Sequence, residues 1–226
     1  MRMKRMRATL TTIVIAATGG AMALAQANPA PAQVNQANKE AQVLSQTDVA
    51  LSGYEAFTSS TSGNGTTQTP SNSAGGMLEV RHIMKPLLGL EFTYSFNPAN
   101  QAYTPTVGSC GYFCSSQPIK ASASASEISL DYVASKKFGN LRPFVVGGLG
   151  FFITVGAGSE TNNLNTVVRI AYVYGGGTDW AFSQHLGIRI QYRGNLYKAP
   201  NVSPYFLPTG VYTQSGEPMG GVYYSF

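Results

Sequence analysis

Ionisable residues recur at alternate positions in several short stretches of this sequence, with apolar residues between them: Glu79 and Arg81, Glu91, Glu127 and Asp131, Arg169, Arg189 and Arg193. Successive side chains of a β-strand point to opposite faces, so this spacing gathers carboxylates and guanidiniums on one side of a sheet. Brought together, they could pair as buried salt bridges or line a path for ions. A second feature is Cys110-Gly111-Tyr112-Phe113-Cys114. A zinc site would need about four ligands, and His82 and His185 fall at strand ends far from this loop, so no metal site is expected. Ser183 and His185 are a third feature, a nucleophile and a base two residues apart.

The elements that must carry these groups are strands. Leu88, Leu90, Phe92, Tyr94 and Phe96 share one face, with Gly89, Glu91, Thr93 and Ser95 on the other. Ile128, Leu130 and Tyr132 oppose Glu127, Ser129 and Asp131. Val168, Ile170, Tyr172 and Tyr174 oppose Arg169 and Ala171. Ile188, Ile190 and Tyr192 oppose Arg189, Gln191 and Arg193. Eight such strands are predicted, at about 48–58, 76–84, 87–97, 126–136, 142–154, 166–177, 185–198 and 217–226. Each is near the length that crosses a bilayer at a tilt. Glu55 conflicts with an apolar face through Val49 and Leu51, which suggests a bulge or a register change in the first strand. In the fifth, Gly147, Gly148 and Gly150 could leave room for long interior arginines. Long connections follow the first, third, fifth and seventh strands, and short ones the others. That asymmetry, an even strand count and strand closure in lipid describe an all-β, eight-stranded antiparallel up-and-down transmembrane barrel with long extracellular loops and short periplasmic turns.

The 226 residues carry a formal net charge of +5, but the excess is local. Residues 1–27 hold Arg2, Lys4, Arg5 and Arg7 and no acid; the rest has 11 Lys and Arg against 10 Asp and Glu. No basic tract is left to attract a nucleic acid. MRMKRMR followed by an apolar, Gly-interrupted run and the A-x-A sites at Ala23 or Ala25 reads as a signal peptide for Sec export. Residues 28–46 read as a flexible periplasmic lead, and 47–226 as the barrel. In an exported protein Cys110 and Cys114 are expected to form a disulfide that stiffens a loop tip.

The chain ends Met219-Gly220-Gly221-Val222-Tyr223-Tyr224-Ser225-Phe226. Gly221, Tyr224 and the terminal Phe226 resemble the C-terminal assembly signal of outer-membrane proteins, although Met219 stands at its polar position. From Gly76 to Phe226 the chain resembles small outer-membrane barrels of the OmpX type and the OmpA transmembrane domain, with Gly175 to Trp180 read as a recurring turn and Leu186 to Arg193 as the strand after it. The resemblance implies a bacterial outer-membrane location, contact with its lipids, and recognition by the barrel-assembly machinery.

Functional expectations follow from barrel size. Eight strands enclose only enough space for side chains, and charges buried there must pair. A salt-bridged plug is therefore expected over a conducting pore, in a monomer without a cofactor. The function read from this is non-enzymatic: a structural or surface-interaction barrel acting through its external loops, with a narrow passive channel as the alternative. A lipid A-modifying enzyme is disfavoured, because Ser183 and His185 fall at a periplasmic turn. Phe96 and Tyr197, with Tyr174, Trp180 and Phe226, are expected to form two interfacial girdles. The loop residues Tyr103, Tyr112, Phe113, Tyr205, Phe206 and Tyr212 are free to meet a partner or to pack on the rim. A soluble lipocalin-like barrel would reverse the two faces.

Overall fold

The structure, a computed structural model, describes residues 45–85, 87–106, 118–156, 166–203 and 206–226. The proposed signal peptide, nearly all of the lead, and Cys110 and Cys114 lie outside the described residues, as do Tyr112, Phe113 and Tyr205. Twelve strands are described among these: β1 Gln46–Thr58, β2 Thr61–Gly63, β3 Thr66–Pro70, β4 Ser73–Lys85, β5 Leu88–Pro98, β6 Gln101–Pro105, β7 Ile119–Ala121, β8 Ala123–Ser135, β9 Leu141–Gly156, β10 Thr166–Ala181, β11 Leu186–Lys198 and β12 Tyr212–Ser225.

Eight of them close an antiparallel barrel in the order β1-β12-β11-β10-β9-β8-β5-β4. The seam is the β1–β12 pair, running from Asp48 opposite Ser225 to Thr58 opposite Ser215. Closure leaves no barrel strand with an unpaired edge, the condition for spanning hydrocarbon with sheet. The start of β1 and the end of β12 meet at one rim, where the Phe226 amide donates to the Thr47 carbonyl. The connections there are short: 86–87, 136–140 and 182–185. Those at the opposite rim are 59–72, 99–122, 157–165 and 199–211.

The two faces of the wall settle which solvent it meets. Leu90, Phe92, Ile188 and Ile190 are 43, 47, 37 and 62% exposed on the outside, while Glu91 and Arg189 are 0% exposed within. A soluble barrel would show the opposite. Along β11 the outward apolar residues run from Leu186 to Leu196, roughly 33 Å of strand and about 25 Å of height at a tilt near 40°, the span of a lipid-facing belt. Gly194 interrupts this row, and the ring of Tyr174 from β10 lies across it.

Several strands run further than alternation predicts. β8 starts at Ala123, β12 at Tyr212, and β10 continues to Ala181. Ladder pairing persists past the apolar belt, where the outward residues are Ser124 and Ser126 or Gln214 and Gly216, and an alternation signal ends. Gly175 to Trp180 is consequently strand, not turn; the turn is 182–185. Tyr174 thus sits mid-strand rather than at a rim. β1 pairs with β4 and β12 in constant register, with no bulge at Glu55, whose side chain lies on the outer face opposite Ala74. The irregularity in the barrel pairing falls between Ile83 and Lys85, beside the two-residue connection to β5.

Candidate functional site

The inward face of this wall is a polar core. Cross-strand register sets its first contacts: Arg81 lies opposite Glu91 on β5 and Asp48 on β1, and Arg189 opposite Asp179 on β10. Arg81 meets Glu91 at 2.5 Å and Asp179 at 3.3 Å. Arg189 reaches Asp179 and Asp48, both at 2.7 Å, and stands 3.6 Å from Glu79 and 3.7 Å from Glu91. Arg142 closes the terminal-rim end, 2.7 Å from both Asp48 and Asp179. The Phe144 ring lies 4.0 Å from the Arg81 guanidinium carbon and 5.6 Å from that of Arg189, so the cations also rest on an aromatic face.

Towards the loop rim, Arg193 donates to Glu127 and Asp131 at 2.9 Å each and to Ser129 at 2.5 Å. The wall thins where these groups need room. A Cβ on Gly148 would collide with the Asp131 carboxylate and the Leu130 carbonyl, so only glycine lets β9 pass so close to β8. The space freed at Gly148 and Gly150 is thus taken by β8 rather than by the arginines, and Gly147 lies on the outer face.

One carboxylate stands outside the ion pairs. Glu217 is the register partner of Arg193 on β12, yet Arg193 turns away to Glu127 and Asp131. Glu217 Oε1 accepts from Asn195 at 3.1 Å and Ser215 at 3.2 Å, and Asn195 also donates to Glu127 at 2.7 Å. Glu217 Oε2 has no hydrogen-bond partner among the described residues.

Above Glu217 the described parts of the 59–72, 99–122 and 199–211 connections form a cap. β2 and β3 form a hairpin turned by Asn64 (φ 50°) and Gly65 (φ 74°), the Asn-Gly pair that a tight hairpin with two positive φ values favours. β3 pairs with β6 and β6 with β7, giving a second sheet in the order β2-β3-β6-β7. The 199–211 segment is tied beneath it. Gln68 donates to the Pro200 carbonyl at 2.7 Å, Asn64 to the Pro208 carbonyl at 2.6 Å, and the Val202 amide to the Tyr103 hydroxyl at 3.1 Å. Tyr103 stacks on Phe206 at 5.3 Å and packs with Ala121, Ala123 and Val202. Burial raises the Tyr103 phenol above its ordinary value. Between cap and ion network lies a cavity of about 30 Å³, lined by Gln68, Thr213, Tyr197 and Glu217 among others.

Of the residues singled out in the sequence, Glu79, Arg81, Glu91, Glu127, Asp131, Arg189 and Arg193 meet in this interior. Arg169 does not join them. It is half-buried on the inward side of β10 near the loop rim, beyond the network, with no ion pair among the described residues. Tyr197 is no girdle residue: it points inward and stacks on Phe152 at 4.2 Å. Gly221 packs its backbone against Ser52, while Tyr224 and Phe226 face outward in edge-to-face contact 5.0 Å apart. Ser183 Oγ accepts from the His185 and Leu186 amides, and His185 Nδ1 lies 2.9 Å from the Ser225 carbonyl, so both groups shape a turn. Sequence reasoning passed over Asp48, Arg142, Asp179, Asn195 and Glu217. Asp48 lies on the same side as Ala50 and Ser52, and Asp179 lies beyond the point where β10 was expected to end.

No family model matches the chain, and no curated protein sequence does. Solved structures do. Neisserial surface protein A superposes with a TM-score of 0.52 at 14% identity, covering 80% of this chain and 97% of that one. The outer membrane protein OprG from Pseudomonas aeruginosa gives 0.55 at 12% identity, with coverage of 80% and 95%. At such identity the likeness concerns architecture. By fold, this chain is a small, closed, eight-stranded barrel of the kind built by outer-membrane proteins.

Proposed function

We propose that the protein is a non-enzymatic integral barrel of the bacterial outer membrane, closed to ion flow, that acts through the surface its capped loop rim presents to the outside. The observation that carries this reading is the interior itself: side chains from all eight barrel strands fill it, their charges pair across it, and an ordered cap lies over one mouth. An eight-stranded wall has no width left for a water-filled lumen once such residues are inside. The capped rim is the external one, the terminal rim is periplasmic, and residues 1–27 are a signal removed on Sec-dependent export. Gly221, Tyr224 and Phe226 serve recognition by the assembly machinery, and the barrel works as a monomer in contact with outer-membrane lipids. Exposed apolar residues of the cap, Ile119 and Leu207, supply a contact surface for a ligand or a neighbouring cell. Cys110 and Cys114, outside the described residues, form a disulfide.

Single-channel recording in planar bilayers tests the closed interior. The expected trace is a flat baseline after verified insertion. Steady open conductance would reject the plug in favour of a narrow passive channel.

A further inference from the structure

Every other carboxylate on the described barrel strands points inward, but that of Glu55 lies on the outer wall. Its depth follows from the register. Leu186 at the terminal-rim end of β11 pairs with Tyr224, and Tyr224 with Val49 on β1. Continued round the barrel through Val80, Phe92, Leu130, Leu149 and Tyr172, the same row returns to β11 at Leu196. The row therefore climbs towards the loop rim as it passes from β11 to β1. Glu55 is the third outward position beyond Val49, after Leu51 and Gly53. That puts it about 20 Å above Leu186, roughly 5 Å inside the outer edge of a belt about 25 Å high.

Nothing on the wall answers this charge. Among the described residues the Glu55 carboxylate makes no hydrogen bond or ion pair. The outer faces of β12, β1 and β4 carry no Lys or Arg between the rims. The main-chain carbonyl of Glu55 is short of a donor as well. The β1–β12 ladder reaches Tyr54 opposite Met219 and resumes only at Phe57 opposite Gly216. In that register Glu55 faces Pro218, which has no N–H to give. One residue thus holds two acceptors without donors near the edge of the hydrocarbon, where an unmet polar group costs more than in water and a charge calls for a partner.

The wall around it is cut away. Gly220, Gly53 and Gly76 stand in one row across β12, β1 and β4. A Cβ at any of the three would meet nothing within 4 Å. Ile190 and Phe96 close the two ends of this row. Beside Glu55 itself stand only Ala74 and Pro218. The result is a trough one side chain deep and about 10 Å long, with the carboxylate on its loop-rim lip.

We propose that this part of the seam binds a lipid with a phosphoethanolamine headgroup, its primary ammonium on the Glu55 carboxylate and an acyl chain in the glycine trough. A primary ammonium brings a positive charge and three N–H donors to a place that has only acceptors. A trimethylammonium headgroup brings the charge without a donor, and a phosphoglycerol headgroup brings the wrong charge. The ammonium of a headgroup lies at the margin of the hydrocarbon, the level that Glu55 occupies. The proposal rests on the reading that this wall meets outer-membrane lipid, and it gives that contact a chemical preference.

The test folds the full chain into vesicles of equal parts phosphatidylethanolamine, phosphatidylcholine and phosphatidylglycerol. Vesicles that float with the protein are dissolved in mild detergent, and native mass spectrometry counts the lipids retained on the barrel. Phosphatidylethanolamine should be retained about fivefold over phosphatidylcholine, the upper end for an ion pair that water can reach. Glu55→Gln should bring that ratio to about one. Gly53→Leu, which fills the trough, should lower the retention of both lipids. Equal retention of the two by the parent, or a preference that survives Glu55→Gln, would overturn the proposal. Should Glu55→Gln give no folded gel band, the parent ratio and Gly53→Leu decide. A chain that does not float would defeat the outer-membrane reading itself, whereas flotation without a preference defeats only this site.

Discussion

Replacing Arg193 with methionine probes the plug at its best-defined point. The guanidinium is fully buried, with two charged hydrogen bonds of 2.9 Å to Glu127 and Asp131. Methionine matches much of the volume, so the loss is of charge and hydrogen bonding rather than of packing. Removing one partner of a buried pair costs about 3–5 kcal/mol, because the remaining charge stays desolvated. Here two carboxylates are stranded next to the already unpaired Glu217, which puts the expected loss at the upper end, near 5 kcal/mol. Reversible urea unfolding of the barrel in lipid vesicles measures it. The single tryptophan, Trp180, is the reporter, since it sits exposed on the outer face, where the vesicle lipid would surround it. Arg193→Met/Glu127→Gln/Asp131→Asn should recover most of the loss, to within about 1–2 kcal/mol of the parent, because neither hydrogen-bonded carboxylate partner of Arg193 is then left charged. A single-variant loss below about 1 kcal/mol, the size found for solvent-exposed pairs, would mean that water fills the lumen, and the plug argument would fail.

Four further outcomes are expected. Ile190→Lys on the outer belt should destabilise the barrel in vesicles by about 2–4 kcal/mol, against under 0.5 kcal/mol if that face met water. A membrane-impermeant amine reagent applied to intact cells should label Lys120 on β7 and spare Lys85 and Lys136 at the other rim until the outer membrane is opened; the reverse pattern would invert the topology. Tyr103→Ala removes the Phe206 stack and the bonds to Val202 and Gln101, so limited proteolysis should cut within 199–211 faster while the barrel keeps its folded gel band. The Tyr103 phenol is raised by burial, so the cap's stability is complete below the ordinary tyrosine pKa of about 10 and falls as pH climbs through the raised value; protease sensitivity against pH reads this out.

The wall of the barrel was legible because lipid imposes a period of two on every strand, and a wrong phase would put Glu91 or Arg189 into hydrocarbon. The interior was legible only in part, and for a physical reason. Alternation marks an inward charge only where the outward neighbours are apolar, as around Arg189. Asp48 opens its strand and shares its face with the small residues Ala50 and Ser52 while Glu55 breaks the apolar row opposite, and Asp179 sits beside Gly175 to Gly177, so neither stands in a run with sustained contrast. Pairing was less legible still, since a guanidinium reaches past its register partner, as Arg193 does past Glu217. The cap was hidden because its strands are three to five residues long, too short for an alternation of apolar and polar residues to show. Its one strong local signal was Asn64-Gly65.

Alternation also leaves a question that the ion network answers. Sliding β11 past β12 by two residues keeps Ile188, Ile190 and Val222 on the lipid side, and hydrocarbon scarcely distinguishes one aliphatic row from another. The outer face therefore fixes the phase of each strand but not its register. The inner face does distinguish the alternatives. A two-residue slip of β4 against β5 would carry Arg81 from opposite Glu91 to opposite Gly89 or Thr93, and the same slip of β10 against β11 would separate Asp179 from Arg189. Each slip strands charges in a space that cannot solvate them, at several kcal/mol apiece. We infer that the buried charges select one register among many that lipid would tolerate. Exchanging the charges in Arg81→Glu/Glu91→Arg separates this from a general need for polarity. The swapped pair restores opposition between β4 and β5. It also sets the new carboxylate on β4 beside Asp179, and the new guanidinium on β5 beside Arg189 and Arg193. Refolding yield of the folded gel band should fall further for the swap than for the neutral double variant Arg81→Gln/Glu91→Gln. Equal yields would show that register is fixed by the turns and the cap, with the charges merely accommodated.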